Sequence, residues 1–131
     1  MWTYGIMPLL GLVKTNGFLN TRQLMRHFAE HGEEFKAGTP QEYVQMADEF
    51  LSGNKPAHIH ECRRKRGDLL RFDPVTEAYG VLDGNGTIRT FFKPVPCVTI
   101  PLSQRVLVRL SGRCHGHPDN LSYFQSECKR W

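Results

Sequence analysis

RGDLLRFDPVTEAYGVLDGNGTIRTFFKP, residues 66–94, decides the fold. Short apolar runs, LLRF, AYGVL and TIRTFF, are separated by a proline-containing turn, DPVTE, and a glycine-rich loop, DGNG. Such runs bounded by turn residues read as strands joined by hairpins, because Gly, Asn and Asp accept the backbone angles that tight turns need. Just upstream, HIHECR alternates with period two and RRKRGD forms a basic turn. The middle of the chain is therefore expected to be an antiparallel meander of four strands.

Upstream of residue 58 the period is helical. In TPQEYVQMADEFLSG, Thr39 is an N-cap, Pro40 suits the first helical position and Glu42 completes a capping box. Tyr43, Val44, Met46, Ala47, Phe50 and Leu51 then recur at helical spacing, and Gly53 ends the run. An earlier helix starts at Asn20 with Gln23 as its capping partner, carries Leu24, Met25 and Phe28, and stops at Gly32. Two helices followed by a meander predict an α+β fold with the helices packed on one sheet face. After residue 94, CVTIPL and RVLVRL each read as strands, and HPDNLSYFQSEC has cap residues and a short helical pattern.

The chain has 131 residues, 40% hydrophobic and 23% charged, which suits one folded domain spanning 1–131. Within it we distinguish an N-terminal segment (1–19), a core of helices plus meander (20–94), an inserted stretch (95–114) and a C-terminal motif (115–131). No run reaches the ~20 apolar residues of a membrane-crossing helix. MWTYGIMPLLGLVK lacks the basic start and small-residue cleavage site of a signal peptide, and is expected to be a buried segment. The formal charge of +4 leans toward an anionic partner. Cys62, Cys97, Cys114 and Cys128 follow no dense disulfide spacing and are expected to be reduced thiols.

Several clusters could carry chemistry. HFAEHGEEF matches the H-x-x-E-H pattern of one class of zinc peptidase. With Leu24 as zero and 100° per residue, Phe28 falls at about 40°, His31 at about 340° and His27 at about 300°. Both histidines thus edge the apolar stripe, His31 nearer its buried side, where a side chain of near-neutral pKa can move protons. A zinc peptidase would also need a third ligand and a substrate cleft, and this short helix offers neither. His58, His60 and Cys62 share a strand face, and with Cys114, His115 and His117 they could build a zinc site, although no zinc-finger spacing is matched. Arg63, Arg64, Lys65, Arg66 and Arg71 form a basic cluster of the kind that binds phosphates. In TIRTFFKP, strict alternation would put Ile88, Thr90 and Phe92 on one face and Arg89, Phe91 and Lys93 on the other.

Taken together, HFAEHGEEF, TPQEYVQMADEFL, residues 66–94, HGHPDNLSYF and QSEC resemble the small toxin domains of bacterial polymorphic and contact-dependent systems and related phage proteins. These belong to the barnase/EndoU/colicin/RelE-like ribonuclease group. The resemblance covers residues ~20–94 and ~115–128. It implies two helices on a four-stranded antiparallel sheet, and a metal-independent endoribonuclease without cofactor, aimed at RNA and often at tRNA. It also implies action in the bacterial cytoplasm, after delivery into a target cell for some members, and a cognate immunity protein or antitoxin. No membrane partner is expected. The resemblance makes His31 the first choice for general acid/base and His27 the second. It matches Thr90 to a strand hydroxyl, makes Arg71, Arg89 and Lys93 phosphate-binding cations, and places Tyr123 in the C-terminal motif. Arg66 joins the substrate-binding set from the basic cluster.

The reaction so implied is transphosphorylation. A base takes the 2′-OH proton, the oxygen attacks phosphorus, and an acid protonates the leaving 5′-oxygen while cations and a hydroxyl stabilise the transition state. In the family pattern KP runs almost directly into HG. Here residues 95–114 intervene, an expected extra strand or hairpin at the sheet edge. Two other functions are open to the same residues: a non-catalytic RNA-binding or phage accessory protein of this fold, and a zinc-binding protein.

Overall fold

A computed structural model describes residues 15–110 and 112–131. The segment 1–14, expected to be buried, lies outside the described residues. Helix α1 (Thr21–His31) starts where Asn20 accepts a hydrogen bond from the Gln23 N–H at 2.9 Å. A 3-10 turn (Gly32–Phe35) prolongs it beyond the expected stop. Helix α2 (Pro40–Leu51) is capped by Thr39, whose hydroxyl accepts from the Glu42 N–H at 3.1 Å. The Glu42 carboxylate reaches back to the Gly38 N–H at 2.7 Å, one residue earlier than a standard capping box.

Strands β1 (His60–Arg63), β2 (Leu69–Phe72), β3 (Tyr79–Leu82) and β4 (Ile88–Phe92) form the expected four-stranded antiparallel meander, in the order β1-β2-β3-β4. The turn between β2 and β3 is shaped by the Asp73 carboxylate, which accepts from the N–H groups of Val75 and Thr76. The fold class is α+β. Tyr43, Ala47 and Leu51, spaced four apart on α2, are each at most 1% exposed and press on one sheet face. Gly80 permits that approach, since a Cβ there would lie 3.1 Å from the Leu51 side chain. Arg71 closes the open end of α2. Its guanidinium donates to the carbonyls of Phe50, Ser52 and Gly53 at 3.2, 3.0 and 2.7 Å, and to Glu61 at 2.8 Å.

The second sheet face is covered too. Helix α4 (Asn120–Cys128), capped by Asp119, lays Phe124 against Leu70, Phe72, Tyr79, Val81 and Phe92. Strict alternation along β4 fails at a bulge. Val81 pairs with Thr90 but Leu82 pairs with Ile88, so Arg89 is the extra residue. Ile88 therefore joins Phe91 in the core under α2, while Phe92 stays in the core under α4.

Two other expectations are corrected. The cysteines are bridged, Cys62 to Cys128 and Cys97 to Cys114. The stretch 95–114 adds no strand to the meander. It contains β5 (Val95–Pro96), a 3-10 turn over Cys97–Thr99, helix α3 (Leu102–Leu110) and, closing it, β6 (Cys114–His115). β5 and β6 pair in parallel. A parallel pair needs a long crossover connection, which is why RVLVRL is helical despite its valines.

Candidate active site

On the α4 side of the sheet a cleft of about 210 Å³ opens between β3, β4, the β1–β2 turn and α4. Thr90 and Arg89 come from the bulged strand, Tyr79 and Val81 from its neighbour, Arg64 and Arg66 from the basic turn, and Tyr123 and Glu127 from α4. Trp131 closes one side. Four of the residues singled out in the sequence, Thr90, Arg89, Arg66 and Tyr123, thus share one cleft.

The cations there are held in different ways. Arg64 is 6% exposed and fixed by Asp68 at 3.1 Å, the Glu127 carboxylate at 2.9 Å and the Glu127 carbonyl at 2.8 Å. Arg66 contacts the same Asp68 oxygen at 2.6 Å but stays 39% exposed. Burial alone would raise the Asp68 pKa, yet the hydrogen bonds from Arg66 and Arg64 hold it below the usual carboxylate value. Asp68 therefore stays ionised and anchors both guanidiniums. Arg89 is exposed and forms no ion pair among the described residues.

Both phenols stay protonated. Burial, with Glu127 nearby, pushes the Tyr123 pKa up to about 12 and receives only partial opposition from the arginines and a hydrogen bond with Tyr79. Tyr79 is raised as well, again chiefly by burial. The His115 ring stacks on Tyr123 at 4.3 Å. His115 Nδ1 accepts the His117 N–H at 3.1 Å, so Nε2 carries the proton toward Asn120 Oδ1 at 2.7 Å. Burial lowers the His115 pKa, and this neutral tautomer is what the two bonds require. Asn120 in turn donates to the Pro94 carbonyl at 2.8 Å. His115 is thereby a prop for the Tyr123 ring.

His31 stands just outside the cleft. Its ring centroid lies 5.1 Å from that of Phe92, which packs in the core under α4 and also lines the cleft. Nδ1 faces the Glu34 carboxylate at 2.7 Å, and the second Glu34 oxygen accepts the Lys93 N–H at 2.6 Å. A carboxylate on Nδ1 fixes that nitrogen as the protonated one, and Nε2 lies 3.8 Å from the Glu30 carboxylate. His31 is 5% exposed.

The remaining predicted residues lie elsewhere. His27 is 7% exposed, stacks on Phe18 at 4.9 Å and has Nε2 3.2 Å from the Arg26 guanidinium. Burial, then the charges of Arg26 and His31, lower its pKa to about 4. It lines a separate cavity of about 240 Å³ whose wall includes Arg89. Arg71, expected to be a catalytic cation, lies on the α2 side, in register with Gly80 and Phe91, and caps the helix with its donors engaged by carbonyls and Glu61. Lys93 also lies on this side of the sheet. It sits 5.3 Å over the Phe35 ring and lines, together with Arg71, Glu34 and Asp73, a cavity of about 460 Å³ on the α2 side.

The zinc constellation is not assembled. Cys62 and Cys114 are in disulfides, His58 pairs with Asp73 at 3.4 Å, and no cluster suited to a metal ion occurs among the described residues. Sequence reasoning placed Arg64 in the basic cluster without singling it out, and missed Glu127 and Trp131 in the cleft and Glu34 beside His31. Glu34 had a readable signal, its i, i+3 spacing from His31. Glu127 and Trp131 had none, because only the packing of α4 brings them over the sheet.

No family model matches this chain, and no curated protein matches it. Among solved structures, a ribonuclease from Escherichia coli complexed with its inhibitor protein is similar, with a TM-score of 0.43 and 19% identity, covering 66% of this chain and 96% of that one.

Proposed function

We propose that the chain is an endoribonuclease that cleaves RNA by 2′-OH transphosphorylation in the Thr90 cleft. The observation that carries the reading is the convergence of three guanidiniums, from Arg64, Arg66 and Arg89, with the Thr90 hydroxyl and two neutral tyrosines in a single cleft. A phosphodiester there meets cations fixed in advance by Asp68 and Glu127, and donors that stay protonated at neutral pH. Such pre-set charge stabilises a phosphorane-like transition state without reorganising at the moment of reaction. His31, oriented by Glu34, is the proton-transfer group of this proposal; its ring lies 5.1 Å from that of Phe92, which lines the cleft. Arg71 and Lys93 have no part in this proposal.

Transfer RNA as target, a bacterial toxin role in the cytoplasm, independence of metal and an immunity protein are proposed with it, on the motif resemblance of residues ~20–94 and ~115–128. The two disulfides support passage through an oxidising compartment, as delivery into a target cell entails. The test is an oligodeoxynucleotide carrying a single ribonucleotide. Cleavage only on the 3′ side of that ribose is expected, because no other sugar has the nucleophile. Cleavage of the all-DNA strand would sink the mechanism.

One observation favours a second reading, an RNA-binding protein without catalysis. His31 is 5% exposed and already bonded to Glu34, so the cleft itself holds cations and hydroxyls but no unpaired acid/base. Salt-sensitive RNA binding with the RNA intact after long incubation would establish it.

A further inference from the structure

We propose that Trp131 is a stacking platform for the nucleobase next to the phosphodiester in the Thr90 cleft, an inference that rests on the ribonuclease reading above. Trp131 is 55% exposed, yet it lines the same cleft as the three arginines and Thr90. Large aromatic rings left in water beside a cationic groove are the usual means of gripping single-stranded nucleic acid without reading its sequence. The ring is anchored from behind. Its carbonyl accepts the Arg66 N–H at 3.2 Å, and the buried Arg64 guanidinium lies 4.8 Å from the ring centroid.

Of the other two cations on the ring, Arg66 is held by Asp68 and Arg130 is movable. Arg66 and Arg130 sit 4.4 and 4.3 Å from its centroid, with side chains 39% and 53% exposed. Exposed ion pairs such as Arg130 with Glu127, at 3.0 Å, hold their partners weakly. An arriving nucleotide can therefore place its base on the indole while Arg130 moves from the ring to the phosphate. The cleft is small enough that a base joined to the bound phosphodiester reaches the ring without a spacer. Stacking on the indole by itself favours bases by stacking area, purines above pyrimidines.

The chain contains two tryptophans, so Trp2→Phe leaves Trp131 as the sole indole reporter. That variant is titrated with an uncleavable 2′-O-methyl trinucleotide and with an abasic sugar-phosphate trimer of equal charge, following both indole emission and the anisotropy of labelled ligand. The base-bearing ligand should quench Trp131 and the abasic one should not. In the otherwise unchanged chain, Trp131→Ala should weaken the base-bearing ligand roughly ten-fold and leave the abasic ligand unaffected, with Trp131→Phe recovering most of the loss. A purely structural role for the ring would shift both ligands together, and that result overturns the proposal. Equal affinity of Trp131→Ala and the unchanged chain for the base-bearing ligand, with RNA still cleaved, also overturns it and leaves the ribonuclease reading standing. Binding of neither trimer by the unchanged chain overturns both.

Discussion

Arg71 and Arg64 are equally buried, each 6% exposed, on opposite sides of one sheet, and their surroundings put them to different uses. Arg71 meets the carbonyl end of α2, where three backbone acceptors and Glu61 take up its donors. Arg64 meets two carboxylates and an indole at the wall of an open cleft. The α2 face is thus a place where charge completes the fold, and the α4 face a place where charge is held ready for a ligand. Residue type and spacing cannot separate the two cases, since both arginines belong to the same basic stretch. What separates them is which helix arrives over each face.

The sharpest way to break this contrast is at the proposed acid/base group. His31→Ala should lower RNA cleavage by roughly 10²–10⁴-fold, with RNA affinity unchanged in the same samples, since the cleft cations are untouched. Single-turnover cleavage rates beside filter binding give both numbers. Undiminished cleavage would move proton transfer to another residue of the α4 face.

Arg71→Met tests the other face. It should leave cleavage per folded molecule unchanged but lower stability by ~3 kcal/mol, because three carbonyls lose their donor at the end of α2. Urea unfolding and specific activity together decide this. Loss of activity at full stability would return Arg71 to the active site.

His27 makes the contrast one of pH. Its pKa is held at about 4 in the fold against 6.5 when exposed, so the unfolded chain takes up this proton first as pH falls. The fold keeps this share of its stability above pH ~6.5 and loses it toward pH ~4, by on the order of 3 kcal/mol. His27→Gln should flatten that slope between those limits in a series of urea melts. An unchanged slope would show that another group dominates acid unfolding.

The smallest effect is expected at Arg89, the exposed cation of the bulge. Arg89→Ala should weaken single-stranded RNA binding by ~1 kcal/mol and lower the salt-dependence slope by about 0.7, the share of one phosphate contact. Lys93→Ala should change neither, since its ammonium lies over Phe35 on the α2 side. A reversal of these two results would place the RNA on the wrong face for this account.

Much of the fold was legible because its signals are local. Asn20 and Thr39 announce their helices through side chains that meet N–H groups three residues on. The meander follows from turn residues between short apolar runs. The failures are all non-local. The bulge at Arg89 reverses the side of Ile88 through one extra residue, which alternation cannot reveal. Cys62 and Cys128 stand 66 positions apart, and only the docking of α4 brings them together. Residues 102–110 carry strand-like valines but must cross between parallel strands β5 and β6. Of the site, Thr90, Arg89, Arg66 and Tyr123 were legible as chemistry-bearing types in the right segments. Glu127 and Trp131 were not, because their place in the cleft depends on how α4 packs.

The central claim is tested most directly by incubating the purified, oxidised protein with total RNA in EDTA and identifying the new ends. The account predicts fragments ending in 2′,3′-cyclic phosphate and beginning with 5′-hydroxyl. Intact RNA, or fragments beginning with 5′-phosphate, would contradict it.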